Sequence, residues 1–195
     1  MMILLHRKDG IITSTIEALH DVGIQNLSTK EIAKREGVSE GTLFRHYKNK
    51  TEILLAVLEH YSQYDDDIIQ TCINRELAPI ETLRNYILSY AEYYTNYPEI
   101  TTIVHAYDSL MRDPLLENKV RSIIIKRTNF IQITIEKAIE IGELRGHIHS
   151  GYLTDLIVGG FRATCLRWRM EKQSFSLKDR TIWMIDMLID GFVKE

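Results

Sequence analysis

Apolar residues recur at spacings of three and four along almost the whole chain, the period of an α-helix rather than of a strand. Ile12, Ile16, Leu19 and Val22 predict a first helix over 8–22, ended by Gly23. Two short apolar-in, polar-out segments follow within 28–50. A longer stripe through Ile53, Leu54, Val57 and Leu58 predicts a further helix over 50–71. At the usual rise per residue such a helix is roughly 30 Å long. Three prolines mark further starts: Pro79 for a helix to about 95, Pro98 for one through Ile103 and Tyr107, and Asp113-Pro114 for one to Ile141, stopped by Gly142. Helices over 150–170 and 176–193 complete the pattern. No segment alternates as a strand would, and no repeat emerges. The fold class is therefore all-α, with about nine helices.

The window 28–50 carries the most information. Ser28 stands three residues before Glu31, a capping-box spacing. Ile32 and the small Ala33 face inward, and Gly37 sits where the first short helix must end. Val38 plugs the turn, Ser39 caps a second helix over 39–46, and Leu43 returns from it to the core. This is a helix-turn-helix, a motif that places its second helix in the DNA major groove. Thr42, Arg45 and His46 are fit to meet base edges or phosphates, and Phe44 offers an apolar edge to a thymine methyl. Tyr47, Lys48 and Lys50 follow as groups facing the nucleic-acid backbone. Glu40 either accepts from a cytosine amino group or only favours the helix N-terminus. Thr29 and Ser39 complete the predicted contact set.

Residues 37–50, Gly-Val-Ser-Glu-Gly-Thr-Leu-Phe-Arg-His-Tyr-Lys-Asn-Lys, resemble the signature of the TetR family of bacterial transcriptional regulators. The resemblance runs from about Arg7 to Leu58. Glu36 departs from it, since the family often has a small apolar residue there, and this departure is expected to alter only an exposed helix end. The resemblance implies an N-terminal DNA-binding domain over 1–49 and a helical effector-binding and dimerisation domain over 50–195.

Net charge is −3 over 195 residues, at first sight wrong for a DNA binder. The average conceals an asymmetry: residues 1–50 hold eight Lys/Arg against six Asp/Glu, and the remainder sixteen against twenty-one. A mildly basic head precedes an acidic body. Cys72 and Cys165 lie far apart and form no disulfide or zinc pattern, so both are expected as reduced buried thiols. Met1 to Leu5 is too short an apolar run for a secretory signal, and a cytoplasmic location is expected.

In the body, Tyr86, Tyr90, Tyr94 and Tyr97 share one helical face. Tyr90, Tyr94, His105, Tyr107, Met111 and Phe130 are candidate contacts for a hydrophobic or amphipathic effector. Packing in the core is the competing role for each. The helices 150–170 and 176–193 carry apolar residues on more than one face, so each is expected to be covered on two sides. Leu153, Ile157, Phe161, Trp168, Trp183 and Met187 are candidates for a two-fold homodimer interface built as a four-helix bundle. The pair Gly159-Gly160 allows close backbone approach. The acidic run Asp65-Asp66-Asp67 is expected to be a solvated helix face, and His147 and His149 an exposed loop without metal. No catalytic set, cofactor loop or metal-ligand spacing is present in the sequence, so no enzyme activity or cofactor is expected.

The expected function is a dimeric, ligand-responsive repressor that binds a palindromic DNA operator and is released by a small molecule. The alternatives are a ligand-independent regulator or activator, and a helical interaction protein that has lost DNA binding.

Overall fold

The computed structural model describes residues 2–192, with side chains from residue 7 onward. Among the described residues it is all-α, with no strand. The helices are α1 (Met2–Asn26), α2 (Thr29–Glu36), α3 (Glu40–Phe44), α4 (Lys50–Asn74), α5 (Pro79–Asn96), α6 (Thr101–His105), α7 (Tyr107–Leu110), α8 (Pro114–Glu140), α9 (Ser150–Met170) and α10 (Leu177–Asp190). The first starts earlier than expected and kinks at Gly23, where the backbone leaves helical geometry. The segment predicted as one helix from Pro98 through Tyr107 is a 3₁₀ turn (Pro98–Ile100) followed by two short helices that meet at Ala106. The predicted end of the last helix, Val193, lies outside the described residues.

The chain divides into two units, and the division falls inside α4 and α8. The first comprises Met1–Tyr64 and Glu99–Ile123. Its core is made of Ile11, Ile16, Leu19, Ile32, Leu43, Ile53, Leu58, Tyr61, Ile100 and Ile103, all buried. Each aliphatic side chain buried there contributes on the order of 1.5–3 kcal/mol. Helix α1 packs on both α2 and α6. His20 Nδ1 lies 3.2 Å from Thr102 Oγ1, and Thr51 Oγ1 donates to Asp113 Oδ2 at 2.8 Å. Asp113 also caps α8, accepting from the Leu115 N–H at 3.0 Å.

The second unit comprises Asp65–Pro98 and Ile124–Glu195. Helix α5 runs antiparallel to α10, joined by Arg84–Asp186 (2.7 Å) and Lys178–Glu92 (2.5 Å). Helix α9 meets α10 at Gly160, where an added Cβ would lie 2.7 Å from Met184 Sδ. Gly159 has open space within the chain instead.

The solvated acidic face expected at 65–67 is corrected by this unit. Asp65 is 0% exposed. Arg127 grips it with Nε 3.0 Å from Oδ2 and Nη2 2.7 Å from Oδ1, and Tyr90 OH donates to Oδ1 at 2.8 Å. The guanidinium also lies 4.6 Å from the Tyr90 ring centroid. A carboxylate is tolerated at such a site only when its lone pairs are filled this way. Asp66, one position on, is exposed and pairs with Lys126, and Asp67 is exposed.

Candidate nucleic-acid interface

The helix-turn-helix is assembled by short-range capping. Ser28 Oγ accepts from the Glu31 N–H at 3.1 Å and starts α2. Gly37 ends it with φ 71° and ψ 31°. That left-handed conformation costs glycine little. The Gly37 and Val38 N–H groups then close on the Lys34 and Ala33 carbonyls at 3.2 and 2.9 Å. This is the double bond of a Schellman end. Ser39 Oγ accepts from the Thr42 N–H at 3.1 Å and starts α3. Asn49 Oδ1 caps α4 through the Glu52 N–H at 2.9 Å, and Glu52 reaches back to the Lys48 N–H at 2.7 Å. Together the two bonds satisfy backbone donors on either side of the start of α4.

The recognition helix is shorter than the predicted 39–46. Regular α-geometry ends at Phe44, and Arg45 and His46 bond back three residues, to the Thr42 and Leu43 carbonyls at 3.2 and 3.0 Å. Such a tightened 3₁₀ turn is frequent at a helix end. Leu43 is the inward anchor. Ser39, Glu40, Phe44, Arg45 and Lys48 are exposed, with Phe44 at 47%. Thr29, Thr42, His46 and Lys50 are half-buried.

Three predicted contacts stand differently from expectation. Tyr47 is buried, so its ring belongs to the core rather than to an outward-facing set. Burial first, then the charges of Asp9 and Glu59, push its phenol above the usual range. Lys50 donates to the Leu27 carbonyl, and burial pulls its ammonium below the usual lysine range. Glu40 accepts from Thr29 Oγ1 at 2.6 Å, which ties the start of α3 to the start of α2. Thr42 and Arg45 form a unit: Thr42 Oγ1 lies 3.1 Å from Ser39 Oγ and accepts from Arg45 Nη2 at 3.0 Å. A base edge arriving there would exchange one set of hydrogen bonds for another.

Glu36 is the residue most misjudged from sequence. It does not dangle from an exposed helix end. Its side chain is 14% exposed, accepts from Ser14 Oγ at 2.9 Å and faces Arg7 at 3.7 Å. The spacing of Arg7, Gly10 and Ser14 along one face of α1 was the available signal, but only the fold brings Glu36 against it.

The six effector candidates fall in different units. Tyr90, Tyr94 and Phe130 belong to the second, and His105, Tyr107 and Met111 to the first. Within the second unit Phe130 lies 4.6 Å from Tyr86, and Tyr94 stacks on Phe161 at 5.8 Å and 13°. Burial pushes the Tyr86 and Tyr90 phenols far above their usual range.

The dimer candidates also separate. Leu153, Ile157 and Trp168 are buried within their own chain, with Trp168 Nε1 donating to the Phe175 carbonyl at 3.0 Å. They are core, not interface, and Phe161 is half-buried against Tyr94. The outward face of α9 is instead Tyr152, Leu156, Gly159, Ala163, Leu166 and Met170, at spacings of four and three. On α10 the outward residues are Trp183 at 78% and Met187 at 71% exposure. A groove of about 720 Å³ opens beside them, flanked by Arg180 and Asp190.

Among the described residues no cluster of three or more His, Cys, Asp or Glu is arranged to hold a metal, and no helix is long and apolar enough to cross a membrane. His147 and His149 are exposed, the latter stacked on Tyr152 at 4.1 Å. Cys72 and Cys165 are free and buried.

Comparison with known proteins agrees with this geometry. Residues 11–57 match the family described as bacterial regulatory proteins, tetR family. The fatty acid metabolism regulator protein of Bacillus subtilis is 22% identical over 186 residues, 93% of each chain. The nucleoid occlusion factor SlmA of Actinobacillus pleuropneumoniae is 28% identical over 98 residues, 50% of this chain and 48% of its own. The crystal structure of the transcriptional regulator FadR from Bacillus subtilis in complex with stearoyl-CoA superposes with a TM-score of 0.80 at 21% identity, covering 93% of this chain and 97% of that one.

Proposed function

The chain belongs to the TetR family of bacterial transcriptional regulators, and from that membership and the geometry of its helix-turn-helix we propose that it is a cytoplasmic repressor acting as a homodimer on a near-palindromic operator. The observation that carries the proposal is the capped α3, which turns Phe44, Arg45 and Lys48 to solvent while Leu43 anchors it from beneath. Ser39, Thr42, Phe44, Arg45 and His46 form the reading face. Lys48, with Lys30 and Lys34 on α2, supplies exposed cations for phosphates. The exposed apolar stripe of α9 and the Trp183–Met187 face of α10 support dimerisation, because a soluble monomer rarely leaves such a surface uncovered.

The effector is a hydrophobic or amphipathic small molecule, and a long-chain acyl-CoA is the first candidate. The full-length similarity to a fatty acid metabolism regulator, and the stearoyl-CoA in a similar structure, support that choice. The aromatic residues Tyr90, Tyr94 and Phe130 are its proposed contacts in the second unit. Release follows only if the effector binds the DNA-competent and released conformations with different affinity. Residues 50–64 of α4 lie in the first unit and 65–74 in the second, so this helix is the proposed transmitter. The similarity to a nucleoid occlusion factor favours a second reading, DNA binding without an effector, but it extends over only half of each chain.

Selection of bound sites from randomised duplexes tests the reading, first without ligand and then with stearoyl-CoA. A palindrome with half-sites about one helical turn apart, lost on adding stearoyl-CoA, is expected. A palindrome indifferent to acyl-CoA would favour the second reading, and no enriched site would defeat both. Arg45→Ala should cost about 1–3 kcal/mol on the selected site and relax preference at one position, whereas Lys48→Ala should weaken all sequences alike.

A further inference from the structure

Glu36 sits where a carboxylate is poorly placed by local rules. It is the last residue of α2, a helix end that already carries partial negative charge. What holds it there is one face of α1, where Arg7, Gly10 and Ser14 follow at spacings of three and four. Ser14 Oγ donates to Oε2 at 2.9 Å, and Arg7 Nη1 lies 3.7 Å from Oε1. At Gly10 an added Cβ would come within 2.5 Å of Oε1, so the missing side chain is what leaves room for the carboxylate. Three residues of α1 thus form a seat for one anion.

Arg7 stands toward the far end of α1 from the His20–Thr102 contact. The separation along the helix axis is about 20 Å, from the rise per residue. Its neighbour Lys8 places its ammonium 5.7 Å from the Tyr47 ring, so this end of α1 borders the turn that leaves the recognition helix. The Arg7 side chain is 45% exposed and stands 3.7 Å from Glu36. An ion pair that open is loose enough to exchange.

Building on the DNA-binding reading, we infer that Glu36 is an electrostatic brake on operator affinity. It engages Arg7 in an internal ion pair and so withholds from the DNA backbone a half-exposed cation whose neighbour Lys8 borders the turn after α3. Phosphate and carboxylate compete for the same guanidinium. Phosphate contacts carry no sequence information, so the brake lowers affinity for every sequence alike and leaves specificity unchanged.

The test is Glu36→Gln, which keeps the shape and the acceptor for Ser14 but removes the charge. Binding to the selected operator and to a random duplex should tighten by the same factor, several-fold at about 0.1 M salt, and the slope of log K against log salt should steepen by about 0.9, the value for one added phosphate contact. Arg7→Gln alone should change affinity less than twofold, and R7Q combined with E36Q should lose the whole gain. Ser14→Ala loosens the same seat without changing charge, and its thermal melt alongside that of E36Q separates loss of the fold from loss of the charge. Unchanged or weaker binding by E36Q, or a gain that survives in the double variant, would each overturn the brake. Wild-type protein that retains no duplex at any salt concentration would instead overturn the DNA reading, and the brake with it.

Discussion

The helix-turn-helix and the aspartate-centred cluster of the second unit are both built from polar groups, but at different ranges along the chain. In the first, Ser28 with Glu31, Ser39 with Thr42 and Asn49 with Glu52 are each three residues apart. In the second, Asp65 meets Tyr90 and Arg127, 25 and 62 residues away. The caps are exposed, so water can replace any one of them. Asp65 is not exposed at all, and water cannot substitute for a missing partner. A set of local, replaceable bonds can yield to a DNA edge at little cost. A buried, interdependent set holds its helices in one arrangement.

Arg127→Leu should break the comparison most severely. It leaves the buried carboxylate without its cation and with only the Tyr90 hydroxyl among the named donors, and about 3–5 kcal/mol of stability should be lost in urea unfolding. Replacing Asp65 by Leu at the same time should recover most of that loss. A loss from R127L well under about 1 kcal/mol, the scale of an exposed ion pair, would mean that water reaches the site. Ser39→Ala is the counterpart on the exposed side. One cap bond should cost about 1 kcal/mol, with a larger relative effect on operator binding than on global unfolding. The smallest effect is chemical. Burial pushes the Cys165 thiol up to about 12, so in mildly alkaline buffer it stays protonated in the folded protein. The thiolate is the reactive form. Alkylation should therefore be slow in native buffer and fast in denaturant, and rapid native labelling at Cys165 would show that its surroundings open readily.

The same contrast explains what could be read from the sequence. Helix starts at Ser28, Ser39, Pro79 and Pro114 were legible because cap and capped residue are close neighbours. So was the turn at Gly37. Asp65 was not, since Asp65, Asp66 and Asp67 look alike until Arg127 selects one of them. Glu36 was misjudged for a related reason. Its partner Ser14 lies 22 residues back on another helix, and Arg7 lies two turns further still along it. For α9 the sequence showed that apolar residues occupy two sides, but not which side the chain covers itself. Leu153, Ile157 and Trp168 proved to be the inner side, and Tyr152, Leu156, Leu166 and Met170 the outer. The break at Ala106 went unforeseen because the residues around it are compatible with an unbroken helix.

The seat of Asp65 also has an evolutionary consequence. A buried charge that loses its partner is costly, while a pair of apolar residues in the same space is not. Among descendants and cousins of this chain, positions 65 and 127 should therefore change together, from acid and arginine to two apolar side chains, with single replacements rare. A lineage that has made the exchange would keep the helix arrangement while losing the charged centre beneath Tyr90.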